Sequence, residues 1–156
     1  MSQLALSLLG SFQVTRNGQP VHGFRVKTAQ ALLAYLAVEA DRPHQRETLA
    51  GLLWPDVPNT LALNNLRHTL SNLRQAIGDF DAVPILHITR HTLHFNPANG
   101  CVTDVAAFQA GANSPDLARQ AQAIDLYHGL FLDGFSLNTS PAFEEWLLVR
   151  QQQYAR

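Results

Sequence analysis

The order of segments along the 156 residues predicts an α+β chain: an N-terminal antiparallel sheet, three helices, a second hairpin, then an all-helical stretch. Three observations carry this: period-two alternation at the start, a switch to helical spacing at Lys27, and a run of short helices after Asn99-Gly100. Leu4, Leu6 and Leu8 alternate with Ala5 and Ser7, and Phe12 and Val14 resume the pattern before an Asn17-Gly18 hairpin turn. Ala29, Leu32, Leu33, Leu36, Ala37 and Ala40 then recur at helical spacing, and Pro43 follows the end of that helix. A second helix spans Arg46 to Leu53, behind Gln45 as a poor N-cap, and stops at Trp54-Pro55. A third spans Thr60 to Ile77, with Asn59 as N-cap and Gly78 as terminator, and turns Leu63, Leu66, Leu70, Leu73 and Ile77 inward. Ile85 to Thr89 and Thr92 to Phe95 form the arms of a hairpin with Arg90-His91 at its tip.

Beyond that hairpin, helices are expected at Val105 to Ala110 behind Asp104, Pro115 to Tyr127 behind Ser114, and from Pro141 onward behind Ser140. Both Ser-Pro pairs read as an N-cap followed by proline at the first helical position. Gly129 is expected to end the middle helix, and the last two helices to pack antiparallel, Leu126 and Tyr127 against Phe143, Trp146 and Leu147. The division is thus 1–98 and 99–156. A segment of roughly 60 residues is marginal as an independent core, and its closing QQQYAR is still helical in pattern, so a fragment of a longer protein is expected.

Charged residues make up 15% of the chain and hydrophobic ones 46%, a balance that excludes disorder and coiled coil. The net charge of −1 conceals an asymmetry: residues 1–97 hold eight Arg or Lys against six acids, and residues 98–156 three against six. A lone Cys101 makes no internal disulfide, which fits a reducing cytoplasm. The apolar start lacks the basic residues of a secretory signal, and no run approaches membrane-spanning length. His87, His91 and His94 are close in sequence, but a hairpin turn is expected to separate their side chains, so neither a metal nor another cofactor is expected. Cys101 has no activating neighbour, Glu144-Glu145 reads as a solvated face, and nothing pairs a nucleophile with a base; an enzyme is disfavoured.

The third helix holds the informative chemistry. No acid occurs between Asp56 and Asp79, and opposite its apolar stripe lie Asn64, His68, Ser71 and Gln75, flanked by Arg67 and Arg74 on one side and Asn72 on the other. Such a face suits the major groove of double-stranded DNA, where Asn and Gln pair with adenine and Arg with guanine or phosphate. Arg46 at the start of the second helix, and Arg90 and His91 on the hairpin, are expected to add backbone contacts. The alternative is an ordinary amphipathic helix with a solvated polar side, within a protein–protein interaction module that uses the helices as a docking scaffold.

RVKTAQALLAYLAVEADRPHQRETLAGLLWPD followed by LNNLRHTLSNLRQAIGD resembles the OmpR-type winged helix of the Streptomyces antibiotic regulatory protein family. The motifs are Leu32-Leu33-Ala34, Leu49, Leu53-Trp54-Pro55-Asp56, Leu66-Arg67 and Leu73-Arg74. Asp104, Phe108, Leu126-Tyr127, Gly129, Phe131-Leu132, Gly134, Phe143, Trp146 and Arg150 similarly resemble the start of a tetratricopeptide-like bacterial transcriptional activator domain. The resemblance implies a winged helix-turn-helix with a C-terminal wing, followed by tetratricopeptide-like helices. It also implies a cytoplasmic activator that binds direct repeats as a tandem dimer and recruits RNA polymerase through its sigma or alpha subunit. Pro55, Asp56, Val57, Pro58 and Asn59 then form the polymerase-facing loop; His68, Ser71 and Asn72 read the groove; Arg67 and Arg74 contact backbone or bases; Arg90 sits on the wing. The chain departs from relatives in having Gln45 where Ser or Thr is frequent, His91 where the wing turn often contains glycine, and Ser71 and Asn72 where basic residues are common.

Overall fold

A computed structural model of the chain describes residues 4–79, 84–96, 102–137 and 140–155. The architecture is mixed α+β. Strands β1 (Leu4–Ser7), β2 (Gln13–Arg16) and β3 (Gln19–Pro20) form an antiparallel meander with Leu6 opposite Val14. Asn17 and Gly18, at φ of 52° and 82°, make the tight turn that two left-handed residues produce. Helices α1 (Lys27–Val38), α2 (Arg46–Leu53) and α3 (Asn59–Ile77) follow. A second sheet, ordered β4-β6-β5, joins β5 (Leu86–Ile88) and β6 (Thr92–Phe95) to the short β4 (His44–Gln45) between α1 and α2. Then come β7 (Val102–Thr103), α4 (Asp104–Ala112), α5 (Leu117–Asp125) and α6 (Pro141–Tyr154).

One apolar core runs through these elements. Leu32, Leu33 and Leu36 of α1, Leu49 and Leu53 of α2, and Leu66, Leu73 and Ile77 of α3 are buried together with Leu4, Leu6, Leu8 and Leu9. Phe131, Leu132, Phe143, Leu147 and Tyr154 belong to the same cluster. Trp146 contacts the Tyr35 ring at 5.0 Å, Phe143 at 5.3 Å and Phe131 at 5.6 Å, so aromatic packing ties α6 to α1.

Polar groups reinforce the junction. β7 pairs in parallel with β1, the Asp104 carboxylate accepts from the Leu8 and Leu9 amides at 2.8 and 2.9 Å, and Leu132 N–H donates to the Leu8 carbonyl at 2.7 Å. Arg150 pairs with the nearly buried Glu39 at the end of α1, and the Ser140 hydroxyl donates to the Leu52 carbonyl in α2. Residues after 101 therefore complete the core that the first helices begin. The expected boundary at 98/99, and Cys101, lie outside the described residues.

Several expected caps move by one or two positions. The third helix starts at Asn59 rather than Thr60, because Pro58 is the cap and its carbonyl accepts from Ala62 N–H at 2.9 Å. Thr103 caps α4, which frees Asp104 for the Leu8 and Leu9 amides just past β1. Ser114 does not cap the next helix: its hydroxyl accepts from Asp116 N–H, and the Asp116 carboxylate caps α5 on Ala118 N–H. That helix ends at Asp125, ahead of Gly129. The expected packing of α5 on α6 is not the principal one: Ile124 and Tyr127 only border a groove shared with Tyr154 and Ala155 at the far end of α6. α5 packs on α4, where Gly111 meets Ala123 so closely that a Cβ on the glycine would sit 2.7 Å from the alanine methyl, and Phe108 meets Tyr127 at 5.8 Å. Glu144 is not simply solvated, since it accepts from Ser136 Oγ and Leu137 N–H at 2.8 and 2.6 Å. Ser140 caps α6 and Gly78, at φ +67°, ends α3, both as expected. Among the described residues, no helix is long and apolar enough to cross a membrane.

A shared core implies a single cooperative transition. Replacing the fully buried Phe131 with Ala is expected to cost about 3–5 kcal/mol. In urea, far-UV circular dichroism and tryptophan fluorescence should shift together; separate transitions, with only one displaced, would mean that the two halves unfold independently.

Candidate nucleic-acid interface

With Ala62, Leu66, Leu70, Leu73 and Ile77 turned into the core, α3 leaves Asn64, Arg67, His68, Ser71 and Gln75 exposed along its outer side. Taking Asn64 as the reference at about 100° per residue, His68, Ser71 and Gln75 fall within about 40° of it. Arg67 and Arg74 lie about 60–80° to one side, and Asn72 about 80° to the other.

The flank carrying Arg67 and Arg74 faces the hairpin. β4 pairs with β6, so the start of α2 sits beside the hairpin tip: Arg46 N–H donates to the His91 carbonyl at 2.8 Å, and the Arg46 guanidinium donates to the Thr89 carbonyl at 2.9 and 3.2 Å. Thr89 Oγ1 accepts from the Thr92 and His91 amides at 2.9 and 3.3 Å, which holds the tip closed. Two adjoining open grooves result. One, about 370 Å³, is lined by Gln45, Arg46, Glu47, Leu63, Arg67, Arg90 and His91; the other, about 410 Å³, by Arg46, Arg67, Leu70, Ser71, Arg74, Gln75 and Ile88. Arg46 and Arg67 border both. Against these four arginines the linings hold one acid, Glu47, so the surface attracts anions.

Of the residues singled out from sequence, Arg46, Arg67, Ser71, Arg74, Gln75, Arg90 and His91 therefore converge. Asn64 and His68 lie on the same helix, exposed but outside both groove linings.

Asn72 requires correction as a base reader. Its Oδ1 accepts from the Arg25 and Val26 amides at 2.9 and 3.3 Å, and its Nδ2 donates to the Gly23 carbonyl at 3.1 Å. An amide committed to three backbone groups is not free to pair with a base edge. Arg74 also has a structural task. Its Nη2 donates to the Asp79 carbonyl at 3.2 Å and its Nε lies 3.7 Å from the buried Asp79 carboxylate, which accepts from the Ile85 and Leu86 amides at 2.6 and 3.3 Å. The end of α3 is thereby fastened to the first strand of the hairpin.

The segment between α2 and α3 exposes Pro55, Asp56 and Pro58, whereas Val57 packs partly into the core and Asn59 already belongs to the helix. The hairpin does not separate its histidines: His87 and His94 are cross-strand partners with ring centroids 6.4 Å apart, because both stand on the same face of the ribbon. His94 Nε2 is hydrogen-bonded to the Ala40 carbonyl at 2.8 Å, and among the described residues no three His, Cys, Asp or Glu side chains gather as a metal set. Sequence reasoning missed Gln45, Glu47 and Ile88 as groove residues and placed Leu63 wholly inward. Leu63 lies about 100° from Asn64, on the edge between the apolar and arginine sides, which was the available signal.

The two arginines of α3 should separate experimentally. Arg74→Ala strips the buried Asp79 of its cation and should cost about 1–2 kcal/mol, after discounting for screening of the half-exposed guanidinium. Arg67→Ala, at an exposed position, should stay within about 0.5 kcal/mol of the parent. Urea midpoints at unchanged slope measure both; equal effects would remove the structural role assigned to Arg74.

No family model and no curated protein matches the chain. Among solved structures, Mycobacterium tuberculosis EmbR, in complex with a low-affinity phosphopeptide, matches with a TM-score of 0.72 at 25% identity, over 99% of this chain and 43% of that one. The chain spans less than half the length of that neighbour, and over nearly all of its own length it has an EmbR-like mixed α+β fold.

Proposed function

We propose that the chain is a DNA-binding transcriptional regulator of the Streptomyces antibiotic regulatory protein type, with α2 and α3 as its helix-turn-helix and the β5–β6 hairpin as its wing. The observation that carries this reading is the acid-free outer face of α3 lying beside a groove system bordered by Arg46, Arg67, Arg74 and Arg90. With α3 in the major groove, Asn64, His68 and Ser71 meet base edges, while Arg67, Arg46 and Arg90 meet phosphates and set the register. The likeness to EmbR agrees with the family resemblance of the sequence motifs. By that resemblance the protein acts in the cytoplasm as an activator, binds direct repeats as tandem copies, and presents Pro55 to Asn59 to RNA polymerase. On this reading the chain carries out no catalytic step and uses no cofactor.

A second reading, a protein-docking module, draws on Leu117 and Ile124 of α5 and Leu148 and Val149 of α6, which are exposed apolar side chains on the helical half. It predicts a partner that stays bound when duplex is added, since the two surfaces differ.

Gel-shift and footprinting on the protein's own upstream region, at low and moderate salt, test the principal reading. Protection of repeated sites is expected. Arg67→Ala and Arg90→Ala should each reduce the dependence of log affinity on log salt by about 0.9 without changing the preferred sequence. Replacing His68 or Ser71 should cost about 1–3 kcal/mol on the preferred site and relax the preference. A folded protein that binds no upstream duplex at low salt would overturn the reading.

A further inference from the structure

The arginine-lined grooves occupy one flank of α3, and the other flank is built as deliberately. Residues 23–26, just ahead of α1, cross it as a strap held by the three Asn72 hydrogen bonds already described. One turn along, Gly23 lies against Ala76, where an added Cβ would come within 3.1 Å of the alanine Cα. Thr28 Oγ1 and Thr69 Oγ1, 3.0 Å apart, stitch the first turn of α1 to the same side of the helix. Asn72, Ala76 and Thr69 fall about 80–140° from Asn64, on the side away from Arg67 and Arg74. The strap therefore has a set path along α3, and it carries Arg25 with its backbone amide bound directly to Asn72. The Arg25 side chain is exposed, and among the described residues its guanidinium makes no ion pair or hydrogen bond. The neighbouring Lys27 differs, since its ammonium stands 5.0 Å over the Phe135 ring.

A helix about 10–12 Å across fills a major groove about 12 Å wide, so both of its flanks meet a sugar-phosphate ridge. Arg67, Arg46 and Arg90 serve one ridge. We propose that Arg25 is the phosphate contact on the opposite ridge, and that Asn72 is its positioning residue, acting through the strap rather than by reading a base. This rests on the duplex-binding reading above. A guanidinium suits the role because its planar donor fork matches phosphate oxygens. Tethering the backbone at residue 25 leaves only side-chain freedom to be lost on contact, which lowers the entropic cost of binding.

The test is a salt series of fluorescence anisotropy on two labelled duplexes, the footprinted upstream site and a scrambled one of equal length. Arg25→Ala should lower the log–log salt slope by about 0.9 on both, roughly a three- to four-fold difference in affinity lost between 50 and 200 mM salt, with the ratio between duplexes unchanged. Arg119→Ala, an exposed cation on α5 away from this face, should leave the slope as it is. Asn72→Ala should weaken both duplexes alike, and in an Arg25→Ala background it should add little, because the two act as one unit. An unchanged slope for Arg25→Ala on duplexes that the parent protein binds would overturn this inference alone. So would a changed site-to-scrambled ratio for Asn72→Ala, which would return that amide to base reading. Absence of binding by the parent protein to either duplex would overturn the duplex reading and this inference with it.

Discussion

A helix with apolar residues three and four apart can bury only one side, and that constraint governs α3. Ala62, Leu66, Leu70, Leu73 and Ile77 seat it against α1 and α2, so its polar residues stand outward at a set angle. A buried leucine is worth about 1.5–3 kcal/mol, and four buried Leu or Ile side chains make rotation of the helix about its axis far costlier than any surface contact could repay. The outer face is thereby presented as a rigid strip before any partner arrives.

The two flanks of that strip are then occupied by elements from distant parts of the chain. On one side, β4 draws the start of α2 to the hairpin tip, and Arg46, Arg67 and Arg90 come to border common space. On the other, the strap before α1 is held by Asn72. In each case a polar side chain satisfies backbone groups that no helix or sheet partner serves: Asn72 at residues 23–26, Asp79 at Ile85 and Leu86, Asp104 at Leu8 and Leu9, Glu144 at Leu137. Carboxylates and amides are efficient in this role because one side chain takes two or three backbone bonds, and unpaired buried amides are expensive.

The helical half has a second task, which is to complete the core. Trp146 lies against Tyr35 of α1 with Phe131 and Phe143 packed on its ring, and Arg150 reaches Glu39 at the end of α1. The two helices on which α3 rests are therefore themselves packed against the second half of the chain, α2 through the Leu52 carbonyl and α1 through the Tyr35 ring.

Local pattern determined the elements. Alternation placed β1 and β2, heptad-like spacing placed α1 and α3, Asn17-Gly18 placed a turn, and the absence of acids on α3 marked the candidate interface, because each signal depends only on neighbours within a few residues. Caps were less legible: Thr103, Asp116 and Pro58 displaced Asp104, Ser114 and Asn59, since several adjacent residues can each serve a helix start and long-range partners choose among them. What lay beyond the sequence was pairing at a distance. That α5 packs on α4, that His87 faces His94, that four arginines border one groove system, and that Asn72 grips a strap some 46–49 residues earlier are decided only when the core closes. The chain's own chemistry supplied an amphipathic rod with cations near it; three-dimensional packing selected which of those cations stand free beside it and which side chains are spent holding the rod in place.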